Sequence, residues 1–68
     1  MTLEQCLATR VNWLKFSGPN YAFQSIVAGI TWKLRLNDFP GEPLYTLFVA
    51  GSEIGSLDDW PANWTNTV

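Results

Sequence analysis

Cys6 is the single thiol of this 68-residue chain, and the chain contains no histidine. Histidine is the commonest general base, so neither a Ser-His-Asp nor a Cys-His arrangement can be assembled here, and a Cys/His zinc site is equally out of reach. Cys6 lies near an expected helix start, where a thiol pKa can fall and the sulfur become nucleophilic. It also falls on an apolar stripe, and free cysteine is among the most buried residue types, so a packed, unreactive thiol is expected. The adjacent carboxylates Asp58 and Asp59 have the types needed to bind a divalent cation or to split their pKa values for acid-base work. Consecutive residues of an extended chain point in opposite directions, however, and an Asp shortly before Pro61 suits helix capping instead. Gly18, Gly29, Gly41, Gly51 and Gly55 are dispersed and form no phosphate-cradling loop. The reading is a protein without catalytic residues, cofactor or metal.

Binding is the chemistry these residue types favour. Trp60 and Trp64 lie four residues apart beside Asp58 and Asp59. Either one or both rings fold back over the open edge of the sheet core, or at least one stays partly exposed as an anchor for a partner, since Trp is enriched at interface hot spots. Lys33 and Arg35 alternate with apolar neighbours and so share a polar strand face opposite the core, a second candidate surface. The expected partner is another protein, with the chain acting as an inhibitor, an antitoxin-like neutraliser or an accessory subunit. Two alternatives stand beside this: a small-molecule-binding protein or minor enzyme subunit with a pocket between helices and sheet lined by Trp13, Trp32 or Tyr45, and a self-assembling structural protein, for example a homodimer through an unpaired edge strand.

Charge narrows the partner. The net charge is −2 with a pI near 4.6, and the cations are only Arg10, Lys15, Lys33 and Arg35. Nucleic-acid affinity draws on clustered Lys and Arg that release counterions, so no nucleic acid is expected. Glu4, Asp38, Glu42, Glu53, Asp58 and Asp59 are too scattered to imitate a polyanion. No membrane span or secretion signal is read, the glycosylation pattern Asn63-Trp64-Thr65 is taken as coincidence, and the lone cysteine fits a cytoplasmic location.

The positioning elements follow from periodicity. A single domain spanning residues 1–68 has room for one core, and 47% hydrophobic residues suffice to fill it. Thr2 and Gln5 form a capping-box pattern, and Leu3, Cys6, Leu7, Val11 and Leu14 then recur at helical spacing. The stretch Val11 to Phe16 alternates passably as a strand too, so the helix is free to end early. A turn is expected at Ser17-Gly18-Pro19-Asn20, followed by a second short helix carrying Phe23, Ile26, Val27 and Ile30, capped by Asn20 and ended by Gly29. Ile26-Val27 are β-branched and leave a strand open there as well. Ile30 to Asn37 alternates without exception and reads as a half-buried strand with Ile30, Trp32, Leu34 and Leu36 inward. Pro40-Gly41 suit a type II turn. Leu44 to Ala50, apolar on both faces apart from Thr46, reads as a central strand, joined by a tight turn at Ala50-Gly51-Ser52 to a third strand over Ser52 to Leu57. The expected fold is α+β: an N-terminal helical region of one or two short helices packed on a three-stranded antiparallel meander, with a short C-terminal turn around Asp58 to Trp64.

Overall fold

The computed structural model describes residues 2–16 and 21–67. One helix, α1 (Leu3–Ala8), precedes six strands: β1 (Val11–Lys15), β2 (Phe23–Val27), β3 (Ile30–Leu36), β4 (Tyr45–Val49), β5 (Ser52–Leu57) and β6 (Trp64–Thr67). They form a single sheet in the order β5-β4-β3-β2-β1-β6. Neighbours from β1 to β5 are antiparallel and consecutive, whereas β6 returns to lie beside β1 and runs parallel to it.

This overturns the expected helical layer on a three-stranded meander. The first helix is real: Gln5 N–H donates to Thr2 Oγ1 at 3.2 Å, and Thr2 N–H donates to Gln5 Oε1 at 2.9 Å. It stops after Ala8 because Val11 and Trp13 are buried while Asn12 and Leu14 are exposed, the alternation of a strand rather than the stripe of a helix. The expected second helix is β2. Its apparent helical stripe depends on Ile26, which points outward and is 67% exposed, while Ser25 faces inward and donates through Oγ to Asn12 O at 2.9 Å. A polar inward residue and an apolar outward one together disguise a period of two. The turn expected at Ser17-Gly18-Pro19-Asn20, and the capping role of Asn20, lie outside the described residues.

Three further expectations change. The connection at Pro40-Gly41 closes through Glu42 N–H donating to Asp38 O at 2.8 Å, and Gly41 lacks the positive φ of a type II turn. The C-terminal segment makes no helical turn: Trp64 N–H donates to Pro61 O at 3.0 Å, and the chain then enters β6. Finally, β3 has neighbours on both sides, so the free edges of the sheet are β5 and β6.

The three strands expected over Ile30 to Leu57 stand where the sequence puts them, with β4 between β3 and β5. On the inward face Trp32, Leu34 and Leu47 are fully buried, whereas Ile30 and Leu36 reach the sheet's margins and are exposed. Trp13 and Trp64 meet edge to face at 5.1 Å, and Trp13 and Trp32 lie tilted at 6.4 Å, so three indoles form the centre of the core. The helix covers this layer with Cys6, Leu3 and Leu7. It sits closely on β5 at Gly55, where a Cβ would lie 3.0 Å from Leu3 Cδ2, so a larger residue there would push the Leu3 side chain aside. Among the described residues no helix is long and apolar enough to cross a membrane.

Candidate functional site

The outward face of the sheet can be laid out row by row from the strand register. One row runs Glu53, Phe48, Lys33, Gln24 and Leu14 across β5, β4, β3, β2 and β1. The next, toward the far end of β3, brings Ser56, Thr46 and Arg35 together. Below the first, Thr31 pairs with Ile26. Lys33 and Arg35 thus project from the side opposite the core, as their alternation with Trp32 and Leu34 requires.

The sequence reading missed the rings around them. Lys33 Nζ lies 4.9 Å from the ring centre of Tyr21 and 5.4 Å from that of Phe16, and the Arg35 guanidinium lies 5.3 Å from that of Phe48. Tyr21 packs edge to face on Phe48 at 5.5 Å. Ring quadrupoles attract cations held over their faces, so each charge has a defined seat. Arg35 is fixed further by neutral groups: Nε donates to Asn37 Oδ1 at 3.0 Å and Nη2 approaches Thr46 Oγ1 at 3.5 Å. Asn37 is pinned in turn, its Nδ2 donating to Pro43 O at 2.9 Å and to Thr46 Oγ1 at 2.7 Å, while Thr46 and Ser56 share a hydroxyl contact of 3.1 Å. Among the described residues no carboxylate pairs with Lys33 or Arg35. A depression of about 510 Å³ opens beside Lys33 and Phe48, bounded by Ile30, Thr31 and the turn at Ala50-Gly51. A second, of about 540 Å³, lies over the β1–β2 junction beside Arg10, Leu14 and Ile26.

The C-terminal candidates lie on the other side of the sheet. Trp64 is 3% exposed, and its indole N–H donates to Cys6 O at 3.2 Å. Trp60 is half-buried among Phe23, Tyr45 and Trp64, with ring centres 5.4, 5.8 and 5.7 Å away, and its Nε1 donates to Trp64 O at 2.8 Å. Trp64 therefore belongs to the centre of the core, and Trp60 packs against it from the margin. Asp58 caps no helix: its Oδ1 accepts from Leu44 N–H at 3.2 Å, fixing the entry to β4, and Asp59 is exposed in the same bend. Lys33 and Arg35 are thus brought together with three rings, and Trp60 and Trp64 with the core, but the two groups do not meet.

Cys6 is wholly buried, and burial pushes its thiol pKa up, which holds it in the unreactive protonated form. Among the described residues no three His, Cys, Asp or Glu side chains are grouped to hold a metal ion. Trp13 and Trp32, considered above as pocket walls, are fully buried, and both depressions open on the outward face. Comparison with protein-family models, with curated proteins and with solved structures finds no match to this chain.

Proposed function

We propose that this chain is a non-catalytic protein-interaction module that receives its partner on the outward face of β3 and β4, around Phe48, Lys33 and Arg35. The observation that carries this reading is the pair of cations seated over aromatic rings with no carboxylate paired to them among the described residues. Aromatic residues and Arg dominate the energetics of protein interfaces, and side chains already fixed before binding lose less entropy when a partner arrives. Leu14 at 53% exposure and Ile26 at 67% extend the same face with apolar surface. Trp60 and Trp64 act as the packing behind that face rather than as its anchors, a role in keeping with their burial.

The test is affinity capture from native lysate with the tagged chain beside its Phe48→Ala and Arg35→Ala variants. A stoichiometric protein held by the parent and released by both variants, with the near-ultraviolet circular dichroism of the tryptophan core unchanged, is the expected result. A partner kept by both variants would move the interface elsewhere. A symmetric dimer by light scattering, with no partner captured, would favour self-assembly.

A further inference from the structure

We propose that the partner segment received on this face is acidic and extended, with carboxylates about 7 Å apart that reach Lys33 and Arg35 together. This rests on the interaction reading above and adds the chemistry of what is bound.

The charge distribution supplies the argument. The chain carries a net negative charge, yet in the register of β3 and β4 with their neighbours Lys33 and Arg35 share a face on which Glu53, at the sheet edge, is the acidic residue. Asp58 is engaged at the entry to β4, and the Glu42 carboxylate accepts from Asp38 N–H at 3.2 Å. A locally basic face in an acidic chain complements carboxylates specifically, since the remaining charge repels them elsewhere. Lys33 and Arg35 stand two residues apart on one strand, a separation of about 7 Å, which an extended partner with acids at alternate positions repeats. Arg35 uses Nε toward Asn37 and one Nη2 hydrogen toward Thr46. Its two Nη1 hydrogens and the second on Nη2 remain for a carboxylate in a two-pronged contact. Among the described residues Lys33 Nζ contacts ring faces, which leaves its ammonium donors for a second carboxylate.

A protein carboxylate fits better than a phosphate polymer. Nucleic-acid binding grows with the number of phosphates neutralised, and a face with two seated cations in a chain of net charge −2 offers few. A short acidic segment requires no more than those two.

The experiment titrates the isotopically labelled full chain with a short synthetic peptide alternating Glu and Thr, with its Gln-for-Glu counterpart, and with a single-stranded oligonucleotide of equal charge, followed by backbone amide shifts. The Glu peptide should shift the amides of β3 and β4, weaken with added salt, and bind about tenfold more tightly than the Gln peptide. Lys33→Gln and Arg35→Gln should each lower its affinity about threefold to fivefold, and Arg35→Lys, which keeps the charge but loses the fork, should fall in between. Equal binding of the Glu and Gln peptides at this face overturns the acidic inference while leaving the interaction face intact. Absence of shifts on β3 and β4, or tighter binding of the oligonucleotide there, overturns it too. The capture experiment with Phe48→Ala judges the interaction reading independently.

Discussion

Trp13 and Trp32 are both fully buried, and neither indole N–H meets a hydrogen-bond acceptor among the described residues, whereas Trp64 Nε1 donates to Cys6 O and Trp60 Nε1 to Trp64 O. A buried donor without an acceptor costs about 1–3 kcal/mol, and a made hydrogen bond contributes about 1 kcal/mol. The four indoles are therefore unequal despite their shared ring. Replacing Trp13 or Trp32 by Phe removes an unsatisfied group along with some packing, so the two effects oppose each other. Replacing Trp64 by Phe loses packing and a hydrogen bond together. Urea denaturation should place Trp64→Phe about 2 kcal/mol below Trp13→Phe and Trp32→Phe in stability. Equal losses at all three positions would mean that the two unpaired indoles are in fact satisfied in solution.

The tripeptide Val-Ala-Gly occurs at residues 27–29 and again at 49–51, and in both places it makes the turn between antiparallel strands. Ala28 and Ala50 have φ values of 50° and 52°, followed by Gly29 at 79° and Gly51 at 83°. Two-residue hairpin turns of this hand suit Asn at their first position, and an Ala there incurs about 1–2 kcal/mol of backbone strain. Ala28→Asn and Ala50→Asn should each raise the stability by about 0.5–1 kcal/mol, read as a higher denaturant midpoint at unchanged slope. A lowered midpoint would argue against the left-handed conformation. The same tripeptide also shows where the sequence was legible. After the apolar run of Leu44 to Ala50 it reads correctly as a hairpin, but after Phe23 to Val27, where Ser25 is inward and Ile26 outward, it reads as the end of a helix. β3, β4 and β5 follow from local pattern. β6 does not, because its four residues become a strand only by pairing with β1, some fifty residues earlier in the chain.

The molecule as a whole divides into a structural face and an outward face. A 68-residue domain retains only about 3–5 kcal/mol from its core, and deleting a buried Trp side chain costs about as much. Trp64→Ala should therefore unfold the domain, with loss of near-ultraviolet dichroism and of amide dispersion, whereas Phe48→Ala should leave it folded at a cost of about 1 kcal/mol. A folded Trp64→Ala domain would contradict the central place given to that ring. The candidate site was half visible in the sequence: alternation puts Lys33 and Arg35 outward, and the same alternation in β4 puts Thr46 and Phe48 beside them. An apolar residue on both faces of β4 suggested only a central strand. Phe16 and Tyr21 come to the cations through tertiary placement, which no local pattern encodes. The parallel pairing of β6 with β1 has a mechanical consequence. Tension between Val11 and Thr67 runs along the two strands in opposite senses, so it loads the slanted bonds of that ladder together, in shear, instead of opening them one at a time as in a hairpin. Forced unfolding is governed by the rate over the unfolding barrier, and here that barrier includes dragging Trp64 past Trp13. The shortest strand of the sheet is thereby its tensile clamp.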